Sequence, residues 1–382
     1  MARRLAVASL AIALALYPVS AAAHALLLFS DPLPDAILKR PPVALTLTFT
    51  EAVTPAGKGI NVFSPSGRQV AAPARVAGRT LTAPVTAAES GSYVVVWQVF
   101  AADTHPSRGA FVFTVGSPTP NPYSPLLSGG AIGTATPLGF ALQALARWMH
   151  FFGVALTFGV IIYQRLTRRD PRLHRVVQGG LILLIAAEPV ALVAQLASLS
   201  FDGPTAIAIM ASGFGRLLGL RLAVAVLLWA VLALDAFWPA VILGAGMALI
   251  DGATAHAIPG LPGSGLLLSA VHVAAMGLWV GALVGLVAPT LPSPASGGGD
   301  KRVKYVVGTF AVSVGTGLLL VLAHIGFPPV LTTGYGWALV VKVAVVATAV
   351  VLALLGRRRA ELTVVALLLA AAAVLVSLPP PR

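Results

Sequence analysis

Eight long apolar segments occupy most of the chain after residue 139, and they decide its class. Each is long enough to cross the hydrocarbon core of a bilayer, which takes about 20 apolar residues in helical form. Only 10% of the 382 residues are charged, whereas a soluble protein carries about 25%. The sequence therefore predicts an all-α polytopic membrane bundle of eight helices in residues 139–382. The predicted spans are about 140–164, 177–200, 214–236, 239–259, 265–289, 305–327, 335–356 and 360–378.

Residues 1–23 have the pattern of a secretory signal peptide. Arg3 and Arg4 precede a short apolar stretch, and Ala21-Ala22-Ala23 offers a cleavage site of small residues. Cleavage after Ala23 would make His24 the first residue of the mature chain. The alternative is an uncleaved anchor, with His24 merely close to it.

The basic residues predict the orientation of the chain in the membrane. Of the 25 Lys and Arg residues, 11 fall in three clusters between apolar segments, at 165–175, 301–304 and 357–359. Clusters that alternate with spans are typical of cytoplasmic loops. We therefore expect a bacterial inner membrane protein whose N-terminal domain lies in the periplasm, in contact with membrane lipid. The net charge of +13 then leaves no basic face for nucleic acid, which we exclude as a partner.

Residues 24–116 predict a small all-β domain. Residues 43–50 alternate between apolar and smaller or polar side chains, as in a half-buried strand. Further strands are predicted at 60–63, 79–83, 91–100 and 110–115, separated by turn residues, so an antiparallel sandwich is expected. Residues 117–138 are rich in Pro and Gly and carry no charge, which is typical of a linker.

Three residues of the β domain form a candidate metal site. A free N-terminal His24 offers its α-amine and ring Nδ1 as a chelate, and Asp103 and His105 add a carboxylate and a second imidazole. Nitrogen and oxygen donors in such a set suit Cu(II). The alternative is that Asp103-Thr104-His105 is a surface loop that binds nothing. The chain has no cysteine, so thiolate sites and disulfides are excluded.

The predicted spans contain a second set of candidate ligands, which lie in the outer half of the membrane on the predicted topology. Imidazole with thioether suits Cu(I). Each has an ordinary alternative: a methionine that fills the core, a histidine that bonds to a neighbouring helix, or an interfacial residue. Arg221 and Lys342 are expected to pair with Glu188 or Asp251 rather than to contact copper. The candidate ligands are His150, His256, His272, Met276 and His324.

The β domain resembles the CopC family of periplasmic copper-binding proteins. The resemblance rests on the predicted mature start HALLLFSDPLPDAIL, the strand VALTLTFTEAV and the segment SYVVVWQVFAADTHPSRGAFVFTVG, which contains D-x-H-P-x-x-G. It implies a cupredoxin-like or Ig-like sandwich that holds one Cu(II) at His24, His105 and Asp103. Because residues 24–117 contain no methionine, we expect the methionine-rich Cu(I) site of some family members to be missing.

The membrane half resembles the CopD family of copper-resistance membrane proteins. The matching segments are RWMHFFGVALTFG, ATAHA, HVAAMGLWVGAL and YGWALVVKV. Together the two resemblances imply a CopC–CopD fusion, a copper-binding membrane protein for copper uptake or resistance rather than an enzyme. Its outer domain would capture Cu(II) and pass it to His/Met sites in the membrane. No P-loop is present for direct ATP hydrolysis.

Three other functions stay open at this point. The protein could deliver copper to a periplasmic copper protein such as an oxidase. Its intramembrane histidines could bind haem for electron transfer or for reduction of Cu(II). An N-terminal histidine with a second histidine also occurs in copper monooxygenases.

Overall fold

The computed structural model describes residues 25, 27–101, 106–128, 136–166, 171–199, 201–253, 262–287, 299–325 and 334–378. These residues form two compact units. One contains the described residues up to Ala141 together with Leu192–Arg216. The other contains Leu142–Ala191 and the described residues from Leu217 onward.

The first unit contains a sandwich of two four-stranded sheets, with strand orders β1-β3-β6-β5 and β2-β8-β7-β4. The predicted sandwich is confirmed. Leu45, Leu47 and Phe49 alternate with outward threonines along β3, and they share one core with Trp97 and Phe113 of the other sheet. The strands are β1 (Leu27–Asp31), β2 (Ile37–Leu38), β3 (Ala44–Phe49), β4 (Thr54–Phe63), β5 (Arg75–Ala77), β6 (Thr80–Pro84), β7 (Gly91–Phe100) and β8 (Pro106–Val115).

Three strands of the sandwich, β1, β2 and β5, are absent from the sequence prediction. β2 and β5 are too short to show an alternating pattern. β1 is longer, but its register shifts between Leu27 and Phe29, so two consecutive apolar residues, Leu28 and Phe29, are exposed. A bulge of this kind breaks the period-2 signal on which the prediction depends.

The first half of the predicted linker is held against the sandwich. The Asn121 side-chain amide donates hydrogen bonds to the backbone carbonyls of Phe63, Ser64 and Ser92 at 3.2, 3.0 and 2.9 Å. The Tyr123 ring stacks on Phe63 with 3.9 Å between ring centroids, and a 3-10 helix follows at Ser124–Ser128. The composition of this segment is that of a linker, but the buried Asn121 amide binds it to the end of β4 and to the start of β7.

The helical part agrees with the predicted spans. Seven described helices are long and apolar enough to cross a membrane. The fourth predicted span is an apolar helix of 17 residues in the described part of the chain, and residues 254–259, which were expected to complete it, lie outside the described residues. The helices are α1 (Pro137–Leu166), α2 (Pro171–Ser198), α3 (Gly203–Ala211), α4 (Gly213–Ala233), α5 (Phe237–Ala253), α6 (Pro262–Val287), α7 (Gly299–Ile325), α8 (Gly334–Leu354) and α9 (Arg358–Ser377).

The short helix α3 was not predicted. The Asp202 side chain caps it by accepting a hydrogen bond from the Thr205 backbone N–H at 2.7 Å, as is typical of an N-cap. Ile209 of α3 is fully buried in a cluster with Ala56 and Phe100 of the sandwich. This contact explains why Leu192–Arg216 belong to the same compact unit as the β domain.

A line of glycines brings α1 and α6 into close contact in the other unit. α1 contains a π-helical turn at Ala155–Gly159, and Gly159 at its end lies against the backbone of Gly277 and Gly281. Small residues at four-residue intervals allow membrane helices to approach this closely. The contact fixes α6, which carries His272, beside α1, which carries His150.

Candidate metal sites and a buried ionic network

The strand ends next to the outer candidate residues are described in the structure. β7 ends at Phe100 and β8 begins at Pro106, and these two residues pair with each other, so residues 101–105 join the two strands. His24, Asp103 and His105 lie outside the described residues. The residues that adjoin them, Ala25 and Ala101, are both buried members of the sandwich core.

The conformation near this connection depends on Gly109. The Trp97 indole lies over Gly109 so closely that a Cβ there would be 2.5 Å from the ring. Only glycine leaves room for the indole at this position, which accounts structurally for the glycine of the D-x-H-P-x-x-G motif. Trp97 itself belongs to the core and contacts Phe49 edge to face at 5.1 Å.

In the membrane helices, His150 forms part of a buried ionic network. Its Nε2 lies 2.9 Å from Asp251 Oδ2, and because an ionised carboxylate only accepts, Nε2 is the donor. Arg221 lies 2.8 Å from the other oxygen of Asp251. Glu188 Oε1 lies 3.5 Å from His150 Nδ1. Four helices, α1, α2, α4 and α5, contribute one residue each.

Both ring nitrogens of His150 face acidic side chains of neighbouring helices. Its Nε2 bonds to Asp251, and the expected pairing of Arg221 with Asp251 is confirmed. Within the described residues, no group of three or more histidine and acidic side chains is arranged to hold a metal ion. His150 stays a candidate copper ligand, because a hydrogen bond to a carboxylate is also usual for histidines that bind metals.

His272 on α6 has a different environment. Its Nδ1 lies 3.0 Å from the Ser313 carbonyl oxygen and 3.1 Å from Thr316 Oγ1, both on α7. A carbonyl oxygen only accepts, so Nδ1 carries the hydrogen and the neutral ring keeps a lone pair on Nε2. Histidines that bind metals are usually held in this way, with the second ring nitrogen donating to a carbonyl or carboxylate.

The remaining membrane candidates are only partly described. Met276 lies one turn after His272 and is buried in an apolar cluster with Phe151 and Trp279, so its structural neighbours are those of a core residue. His324 lies near the end of α7, and His256 lies outside the described residues.

The sequence signals for these features differ in strength. The sequence places Glu188 and Asp251 within predicted spans, but their connection through His150 depends on how four helices pack. The glycines of α6 at 277, 281 and 285 were a readable signal for a close helix contact, which sequence reasoning missed.

The fold and the span composition define a membrane protein with an N-terminal β-sandwich domain. Residues 27–116 match the family model of the CopC domain, so this part of the chain is a CopC domain.

Individual proteins are similar to this part of the chain. Copper resistance protein C of Xanthomonas campestris pv. juglandis is 28% identical over 123 residues, which are 30% of this chain and 96% of that protein. CopC from Methylosinus trichosporium OB3b is 30% identical, with 26% of this chain and all of that one covered and a TM-score of 0.23. PcoC, a methionine-rich copper resistance protein from Escherichia coli, is 28% identical over 24% of this chain and 99% of that one, with a TM-score of 0.22.

Proposed function

We propose that this protein is a copper transporter of the inner membrane, in which the CopC domain captures Cu(II) in the periplasm and passes it to a CopD-like membrane unit. The observation that carries the proposal is the CopC domain at residues 27–116, joined in one chain to seven helices fit to cross a membrane. Copper resistance is the property named for the curated relative.

The outer domain would capture Cu(II) through His24, Asp103 and His105. Residue 24 directly precedes Ala25, a buried residue of the sandwich core, and residues 103 and 105 follow another buried core residue, Ala101, in the sequence. Signal cleavage after Ala23 would then complete the site by freeing the His24 amine.

His272 is the residue through which copper would enter the membrane unit. Its Nδ1 is engaged by α7, and its Nε2 lone pair stays available for a soft cation. Met276 adds a thioether one turn further along the same helix, as His256 and His324 would add imidazoles if they lie in the same leaflet. Neutral imidazole and thioether suit Cu(I).

The outer site is tested by sequencing the N-terminus of the mature protein and titrating Cu(II) into the purified full chain. We expect the product to begin at His24, and His24→Ala and His105→Ala to lose high-affinity binding. His174→Ala is the matched control, because His174 is exposed and bonds to Gln178 in a predicted cytoplasmic segment. A mature chain that begins elsewhere, or unchanged affinity in both variants, would remove the outer site.

The membrane step is tested by measuring cytoplasmic copper in cells with and without the protein. We expect His272→Ala to abolish uptake while Cu(II) binding by the outer domain stays intact. Val271→Ala, at an exposed neighbouring position, is expected to behave like the wild type. If cytoplasmic copper does not depend on the protein but periplasmic oxidase loading does, the protein delivers copper rather than importing it.

A further inference from the structure

The short helix α3 joins two membrane spans. α2 ends at Ser198 and α4 begins at Gly213, and both helices are long and apolar enough to cross a membrane. Four residues, 199–202, precede α3, and one residue, Ser212, follows it. Because an extended chain gains at most about 3.5 Å per residue, the two ends of α3 lie within about 18 Å of α2 and about 7 Å of α4. The helix is therefore confined to the region of the membrane surface.

One face of α3 is occupied by the sandwich. Thr205 and Ile209, which are four residues apart and share this face, are both buried. Ile209 packs in a cluster with Ala56 and Phe100. A Cβ on Gly57 would lie 3.2 Å from Thr205 Oγ1. This face is therefore covered by β4 and by the end of β7.

The opposite face of α3 is apolar and exposed. Ile207 and Met210, three residues apart, share this face and are 72% and 48% exposed. Phe201, in the connection before the helix, is 68% exposed. The sequence of α3 contains no charged residue, and the first one after it, Arg216, is exposed in the first turn of α4. Apolar side chains at the membrane surface, followed by a basic one, are typical of a helix that lies among lipids and their phosphate groups.

We propose that α3 is an interfacial helix, which places Phe201, Ile207 and Met210 among the lipids of the outer leaflet while its other face holds the sandwich. Lipid is the occupant that the chain itself indicates, because the spans on both sides keep α3 at the bilayer surface. Contact with lipid does not depend on the proposed function. If that function also holds, the end of β7, which precedes the predicted ligands Asp103 and His105 in the sequence, is kept close to the membrane into which copper passes.

The contact with lipid is tested by measuring the depth of spin labels in the membrane. The chain has no cysteine, so an introduced cysteine carries the only label. Ile207→Cys and Met210→Cys are labelled in the full-length protein, in nanodiscs of phosphatidylethanolamine and phosphatidylglycerol. Val43→Cys, at a position of the β domain that is 86% exposed, is the control for water, and Leu227→Cys, at an exposed position of α4, is the control for lipid.

We expect oxygen, which concentrates in lipid, to relax the labels at 207 and 210 more than a water-soluble nickel chelate does, with values between those of the two controls. Relaxation by the nickel chelate as strong as at residue 43 would place this face in water and overturn the proposal. Protection from both reagents would mean that protein, such as a second copy of the chain, covers the face, and this result would overturn the proposal as well.

Hydrogen exchange in the same nanodiscs tests whether the other face of α3 holds the sandwich. Ile209→Ala leaves a cavity against Ala56 and Phe100, and we expect exchange in β4 and at the end of β7 to become about tenfold faster or more. Ile207→Ala is the matched control and should leave this exchange unchanged, because Ile207 is outside that cluster. Unchanged exchange in Ile209→Ala would overturn the attachment of the sandwich to α3. Neither measurement uses copper, so a failure of the proposed function stays distinguishable from a failure of this proposal.

Discussion

Gly159 of α1 and Gly281 of α6 meet backbone to backbone, so that a Cβ on Gly159 would lie 2.8 Å from the Cα of Gly281. Two helices can approach this closely only where neither carries a side chain. The same contact aligns α6 against the α1 segment that follows His150. The position of His272 relative to the His150 network therefore depends on two glycines.

We expect Gly281→Ala to destabilise the membrane unit by about 1–3 kcal/mol, the usual cost of forcing an additional methyl group into a packed interface. Gly308→Ala on α7 is the matched control, because a Cβ there meets no atom within 4 Å and alanine favours helix by about 1 kcal/mol. Thermal unfolding in detergent measures both. If the Tm of Gly281→Ala is equal to or higher than that of the wild type, α1 and α6 separate easily enough to accept the methyl group.

The ring of His272 gives a second pair of matched variants on α7. A Cβ on Gly317 would lie 2.9 Å from His272 Cε1, whereas a Cβ on Gly315 meets nothing within 4 Å. Because a side-chain ring can turn away from such a contact, we expect Gly317→Ala to leave the fold intact but to displace Nε2 and lower copper uptake about tenfold or more. Gly315→Ala should transport like the wild type. Uptake that is equal in the two variants would argue against His272 as a ligand.

The sequence was sufficient for those features that depend on local pattern. The apolar runs predicted the described ends of each span to within about six residues, and the alternation at 43–50 predicted β3. The pairing of His150 with Asp251 joins residues 101 positions apart, and no local pattern encodes which helices meet. Asn121 shows the same limit. The Pro- and Gly-rich sequence around it predicts a linker, while its three hydrogen bonds depend on residues that are distant in the chain.

Removal of the Asn121 amide should loosen the attachment of residues 119–128. Asn121→Ala removes the amide that donates to three backbone carbonyls, and we expect a loss of about 1–3 kcal/mol in local stability. Hydrogen exchange measured by mass spectrometry on the full chain will show faster exchange in this segment and in the 63–68 turn. Asn61→Ala is the control, since Asn61 accepts only one side-chain hydrogen bond, at 3.4 Å. Unchanged exchange in Asn121→Ala would mean that the Tyr123 stack alone holds the segment.

The pH dependence of the outer domain is expected to depend on Glu89. Arg68 donates a hydrogen bond to this carboxylate at 2.6 Å, and Ser66 and Ser64 add further hydrogen bonds. The Arg68 hydrogen bond is the largest of the effects that lower the pKa of Glu89 from 4.5 to about 2. A pKa that is lower in the folded state contributes stability at pH values above the ordinary pKa, and that contribution is lost as the pH falls toward the folded value.

We therefore expect the turn at residues 64–68 to be fully protected above about pH 4.5 and to open progressively between pH 4.5 and pH 2. Hydrogen exchange of the 64–68 and 89–93 peptides, corrected for the intrinsic pH dependence of exchange, measures this. In Glu89→Gln the protection should be lower at neutral pH and insensitive to acid, because no carboxylate remains to be protonated. In Arg68→Met the folded pKa of Glu89 should lie closer to 4.5, so the loss on acidification should be smaller and should be complete at a higher pH. An acid response of the same size in Glu89→Gln would assign the effect to another carboxylate.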